Sequence, residues 1–326
     1  MEIKEYLEKY QPIIFHTFAN ALKRNKLSHA YLLSGAPGSP LKEIAMFFTK
    51  SILCDNPNPF ACNNCITCMR VDEGNYADVM ILDGDKSKIK REDVEKIMHN
   101  FDKTALEDKG IMIYVINNIE AMNTVSINAI LKFLEEPGKN IYAILTTENE
   151  SKILPTILSR TQILRLKTVN QSIIINEAKN AGINDDDAQI LSAFYSDIER
   201  MKEAIESEPY KIAKQALDDQ LNSLLISKED AIFTCEKLII PAMKSIDAAK
   251  FYIKMLALSF QDLLNISVGS DIVLSCYETV LKELAHRLTH LDSSLLMIMQ
   301  AQSKLDLNVN IGLLLDHIIY EITKEG

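Results

Sequence analysis

Four cysteines, Cys54, Cys62, Cys65 and Cys68, follow one another as C-x7-C-x2-C-x2-C. Thiolates grouped this closely can close a tetrahedron around zinc, and four protein ligands leave no open position for a reacting water. Structural zinc is the expected occupant, with an iron–sulfur centre as the competing reading. Cys235 and Cys276 stand apart in apolar helical segments and read as core residues. His286 and His290 are spaced i, i+4, but Arg287 stands where a zinc-protease helix needs glutamate, so no metal is expected there.

The stretch Ser34 to Glu43 has the outline of a phosphate loop without its chemistry. A working loop reads G-x-x-x-x-G-K-[ST]: backbone N–H groups cradle phosphate, lysine reaches the outer phosphates and a hydroxyl holds magnesium. Counting from Gly35, Pro40 replaces the second glycine, Leu41 the lysine and Lys42 the hydroxyl residue, with Gly38 between them. Proline has no N–H to give. An ordinary Gly-Pro turn before a helix would look similar. A second motif fails as well, because the run Ile113 to Ile116 ends in Asn117-Asn118 where an ATPase needs an acid pair for magnesium and water. Neutral amides cannot do that work. The chain is therefore not expected to hydrolyse ATP on its own, and no functional ATP site is expected. Thr146 and Thr147, after the next strand, read as turn residues.

Arg160, in Leu158-Ser159-Arg160-Thr161, precedes the last strand at an edge of the domain. A permanently charged planar fork placed there can complete the active site of a neighbouring subunit. A surface ion pair is the alternative.

The elements that must place these residues alternate. Helix Gln11–Asn25, strand Ala30–Ser34, helix Leu41–Leu53, strand Ala77–Leu82, helix Arg91–Phe101 and strand Ile111–Ile116 are followed by helix Ser126–Glu136, strand Ile141–Leu145, a helical turn Ile153–Leu158 and strand Gln162–Leu166. That pattern predicts a parallel α/β sheet. Beyond about Val169 only helices are expected, with apolar stripes such as Phe251, Met255, Leu258 and Ile311, Leu314, Leu315, Ile318, Ile322. A boundary between a smaller and a larger helical piece is placed near Pro209 to Asp219.

Charge divides along the same line. Residues 1–168 carry 21 basic and 21 acidic side chains, which leaves 14 basic against 24 acidic for 169–326, the whole net charge of -10. An acidic helical half suits packing against protein better than gripping a phosphate backbone. The apolar runs are too short to span a membrane and the first ten residues are charged, so a cytoplasmic location is expected.

Several segments together resemble the delta-prime family of bacterial DNA polymerase III clamp-loader subunits, in the AAA+ superfamily. They are Ser28-His29-Ala30-Tyr31-Leu32, the degenerate loop, the four-cysteine insertion, Ala129 to Pro137, Leu154 to Arg160 and, more faintly, Leu305 to Asn310. The family usually has Ser-Arg-Cys where this chain has Ser159-Arg160-Thr161. The resemblance implies an α/β plus all-α chain: an AAA+ module at 1–168 with a zinc insertion at 54–68, a helical lid at 169–212 and a helical collar at 213–326. It implies a non-hydrolysing subunit of a ring with gamma or tau and delta subunits, one that loads the sliding clamp onto primer-template DNA in replication and lends Arg160 to a neighbour's ATP. The alternatives are an active gamma- or tau-like ATPase and a stand-alone zinc-containing DNA-binding protein.

Overall fold

The computed structural model describes residues 2–85, 87–101, 105–136, 138–305 and 309–324, with the side chains of 98–101 and 303 left aside. It divides into two compact units, one of residues 1–170 with 195–197 and one of 171–194 with 198–326.

In the first unit five strands, β1 (Ala30–Ser34), β2 (Val79–Asp83), β3 (Met112–Asn117), β4 (Ile141–Thr147) and β5 (Gln162–Arg165), form one sheet in the order β2-β3-β4-β1-β5, and every pairing is parallel. Parallel neighbours require crossovers, and helices supply them. Helices α1 (Ile3–Tyr10) and α2 (Pro12–Lys23) precede β1, and between strands lie α3 (Leu41–Leu53), α4 (Ile66–Asp72), α5 (Arg91–Phe101), α6 (Thr124–Glu135) and the short α7 (Pro155–Leu158). Every residue of β1 and of β3 is buried, as expected of continuous apolar runs covered on both faces. The alternation of strand side chains sorts them. Tyr31, Leu33, Ile113 and Val115 join Phe18, Ile44 and Phe48 from α2 and α3 in one core. Leu32, Tyr114, Ile116 and Leu145 join Val94, Ile97, Ile130 and Leu134 from α5 and α6 in the other. The result is three layers, with Phe18 stacked on Phe48 at 3.6 Å between ring centres.

Register then brings the chemistry together. Ser34 pairs with Thr147 and Asp83 with Asn117, so the carboxyl ends of β1 to β4 share one rim. Ligands of open α/β sheets sit outside such a rim. The strands differ in detail from expectation: β2 runs one residue past Leu82 to end at Asp83, and Thr146 and Thr147, expected in a turn, are the last residues of β4. The helix before Gly138 stops at Glu135, and Pro137 lies outside the described residues.

The second unit is helical in its described residues: α8 (Gln171–Asn180), α9 (Asp185–Ser192), α10 (Ile198–Glu206), α11 (Glu208–Ile226), α12 (Lys228–Thr234), a π turn at Cys235–Ile239, α13 (Ile240–Ala242), α14 (Ile246–Val268), α15 (Glu278–Ala285), α16 (Leu291–Lys304) and α17 (Ile311–Thr323). Caps set several boundaries. Ser207, Ser227, Ser245 and Asn310 each accept an N–H of the first turn that follows. The region Pro209 to Asp219, where a boundary was expected, is inside the 19-residue helix α11. The apolar stripe of α14 is wider than the sequence suggested. Tyr252, Ile253, Leu256 and Phe260 are buried beside Met255, whereas Phe251 and Leu258 are half-buried. In α17 Leu314, Leu315, Ile318 and Ile322 are buried as the spacing required. Of the Leu305–Asn310 segment, Asp306, Leu307 and Asn308 lie outside the described residues.

Candidate functional site

The loop between β1 and α3 turns its donors inward. The Gly35 amide donates to the Thr147 carbonyl at 3.2 Å, that of Ser39 to Ala36 at 3.1 Å and that of Leu41 to Ser39 at 2.7 Å. Gly38, at a φ of +83° that favours glycine, donates instead to the Glu148 carboxylate at 3.3 Å. Its own carbonyl accepts from the amide and the hydroxyl of Ser196. Pro37 and Pro40 have no amide hydrogen to offer. A phosphate cradle needs these N–H groups pointed at the ligand, and a carboxylate already holds one of them. Leu41, at the lysine position, is 3% exposed and packs into the core with Ile44.

Lys42 is also committed. Its ammonium lies 2.6 Å from Asp83 Oδ2 at the end of β2. Burial works against ionisation of Asp83, but the hydrogen bonds from Lys42 and Asn117 outweigh it and hold the carboxyl below its ordinary pKa. Asn117 donates to Asp83 Oδ1 at 2.9 Å and to Asp85 Oδ2 at 2.7 Å, while its carbonyl accepts from Thr146 Oγ1 at 2.8 Å. Asn118 donates its backbone N–H to Thr146 Oγ1 and its side-chain amide to Asp85. Gly84 is required beneath this network, because a Cβ there would come within 2.4 Å of the Asn118 carbonyl. The rim at the carboxyl ends of β2 and β3 thus carries one ion pair and a set of side-chain amide hydrogen bonds. Sequence reasoning placed Asn117, Asn118 and Lys42 here, and missed Glu148 and Asp83. Glu148 meets Gly38 across 110 residues of chain, a separation that local spacing does not encode.

The four cysteines come together as expected. Their sulfurs all lie within 4.8 Å of one another. Cys54 and Cys62 are 3.5 Å apart and Cys54 and Cys65 are 3.9 Å apart. Thiolates at about 2.3 Å from a tetrahedral zinc would be about 3.8 Å from each other, so the donor set fits a metal ion. Cys54 ends α3 and Cys65 caps α4, its sulfur accepting the Cys68 N–H. Amides of Asn56 and Cys62 point at the Cys54 sulfur. The backbone N–H of Asn64 draws the Cys62 thiol down to about 6, while burial pushes Cys54 and Cys68 up. Outside the cluster, Lys109 donates to the Leu53 and Cys54 carbonyls, and Arg70 pairs with Glu107 through two bonds. Cys235 is buried in the π turn, and Cys276 is half-buried in a 3₁₀ turn rather than in a regular helix. His286 closes α15 and His290 precedes α16, so they do not share a helix face.

Arg160 follows α7. Its Nη1 donates to the Thr156 carbonyl at 2.9 Å and to Ser159 Oγ at 3.3 Å, and Nη2 lies 2.7 Å from Glu135 Oε1. Its side chain is 32% exposed. The alternative anticipated for this residue, an ion pair, is what the single chain contains.

Residues 10–170 match the family model described as DNA polymerase III, delta subunit. The chain is similar to the DNA polymerase III subunit delta' of Bacillus subtilis (strain 168), 26% identical over 317 residues, which is 96% of each chain. It is also similar to the DNA polymerase III subunit gamma of Buchnera aphidicola, 35% identical over 169 residues, 51% of this chain and 44% of that one. A crystal structure of a DNA polymerase III gamma subunit-related protein from Thermotoga maritima covers 95% of this chain and 99% of its own at 14% identity, with a TM-score of 0.46. With residues 10–170 matched by that family model and similarity along almost the whole length of a delta' subunit, the chain is a homologue of DNA polymerase III delta'.

Proposed function

We propose that the chain is a non-hydrolysing subunit of a DNA polymerase III clamp loader. It joins gamma or tau and delta subunits in a ring that uses their ATP to place the sliding clamp on primer-template DNA, and it presents Arg160 to the ATP of a neighbour. Residues 1–168 act as the AAA+ module, 169–212 as its lid and 213–326 as the collar that holds the ring, with helix α11 continuous across the lid and collar. The four-cysteine cluster holds a structural zinc.

One observation carries this reading: the donors a nucleotide would need are spent inside the chain. Gly38 is held by Glu148, Lys42 by Asp83 and Asn117 by Asp83 and Asp85. Arg160, just before the edge strand β5, keeps a partly exposed guanidinium, as a residue serving a neighbouring site would need. Nearly full-length similarity to a delta' subunit supports the same role.

Mixing the purified chain with gamma or tau and delta subunits tests the assembly. Gel filtration is expected to give one earlier-eluting peak containing all of them. Elution of this chain alone, under conditions where the other subunits associate, would contradict the proposal.

A further inference from the structure

Two acids, Glu135 and Glu136, stand at the carboxyl end of α6. That is the wrong end for them, since the last carbonyls of a helix already present partial negative charge. A local choice that runs against helix electrostatics calls for a compensating partner, and such conflicts gather at functional positions. For Glu135 the partner is Arg160, at 2.7 Å.

The way Arg160 is held matters more than that it is held. A guanidinium carries five N–H donors in one plane. Three contacts engage it: the Thr156 carbonyl and Ser159 hydroxyl on Nη1, and Glu135 on Nη2. Nε donates to no described residue, and Nη2 meets the Glu135 carboxylate as an ion pair. Nε–H is a donor that can be given to a phosphate oxygen. A flexible side chain is thus held through both terminal nitrogens with Nε still to spend.

We propose that Glu135 is a positioning residue for Arg160: its carboxylate, with the Thr156 carbonyl, orients the guanidinium for a phosphate on the adjacent subunit. This inference rests on the finger role proposed above. Misplacing a reacting group by about 1 Å can cost about 10²-fold in rate. Glu135 touches no substrate and acts through Arg160 alone.

The test uses the complete rebuilt complex with Glu135→Ala, Glu135→Gln, Arg160→Ala and the double variant Glu135→Ala/Arg160→Ala. Steady-state DNA-stimulated ATP hydrolysis is measured over a range of ATP concentrations, with assembly and melting temperature followed in parallel. Glu135→Ala is expected to lower kcat by at least half as much as Arg160→Ala does, with KM for ATP within about twofold, since orientation acts in the transition state. Glu135→Gln, which keeps an acceptor oxygen, is expected to fall between Glu135→Ala and wild type. The double variant is expected to match Arg160→Ala. Wild-type or raised kcat in Glu135→Ala, while Arg160→Ala is impaired, would overturn the positioning role alone. So would an equal loss from Glu135→Ala in both backgrounds, because an effect independent of Arg160 is structural. Wild-type kcat in Arg160→Ala would remove the finger role and this inference with it.

Discussion

Leu41 stands where a phosphate loop needs lysine, and its side chain fills space rather than carrying charge. It is buried with Ile44 and Ala45 against the sheet. Restoring lysine there would place an ammonium in an apolar layer. Leu41→Lys is therefore expected to destabilise the chain by about 2–5 kcal/mol, the range for losing a buried leucine, and to create no ATP turnover. Glu148 would still hold the Gly38 amide and Pro40 would still lack one. Urea unfolding and a phosphate-release assay check both parts, and hydrolysis above background that survives further purification would contradict this reading. Residues of this kind were legible by type. Pro40, Leu41, Lys42, Asn117 and Asn118 stand out by type, since they depart from what a phosphate loop and a magnesium-holding acid pair require. The partners found at this rim were not legible, because Lys42 reaches Asp83 across 41 residues and Glu148 reaches Gly38 across 110.

Among the elements, those defined by local pattern came through the sequence well and those defined by tertiary packing did not. The spans of β1, α3 and α5 follow from apolar runs and spacing within a single element. Helix α11 is different, since Pro209 suggested a boundary and yet occupies the first turn, where proline is tolerated. The breadth of α14 is also hidden, because a helix enclosed on most sides loses its polar face and with it the narrow stripe. The cysteine insertion sits between these cases. Its ligands lie within 15 residues and were legible from spacing, but the Lys109 and Arg70–Glu107 contacts that tie it to the chain before β3 were not. The purified chain is expected to hold about one zinc bound by Cys54, Cys62, Cys65 and Cys68. Chelation is expected to raise amide exchange in residues 54–72 while protection of β1 and β3 persists, since the core on the other face of the sheet, which holds Leu32, Tyr114 and Ile116, contains no residue of the insertion. Metal analysis without zinc, after preparation free of chelators, would contradict the first expectation. Loss of protection throughout the sheet would contradict the second.

At the scale of the whole molecule, charge and fold divide the chain at nearly the same place. The balanced part is the sheet-containing unit and the acidic part the helical one. None of the described helices is long and apolar enough to cross a membrane. An amino-terminal unit whose loop and rim donors are bonded within the chain, joined to an acidic helical unit, is what the proposed role beside a neighbour requires. Arginine fingers are worth on the order of 10³ to 10⁵ in rate at the site they serve. The loss for a whole assembly is smaller, because only one of its ATP sites would lose its finger. The decisive measurement is DNA-stimulated ATP hydrolysis, with clamp loading, by a complex rebuilt with Arg160→Ala. Assembly and metal content should be unchanged and the ATPase and clamp loading reduced, with Arg160→Lys a poor substitute because an ammonium lacks the planar fork. An exposed ion pair with Glu135 alone would cost about 0–1 kcal/mol of stability and nothing in the partner's chemistry. Wild-type ATP hydrolysis and clamp loading in that complex would contradict the role assigned to Arg160.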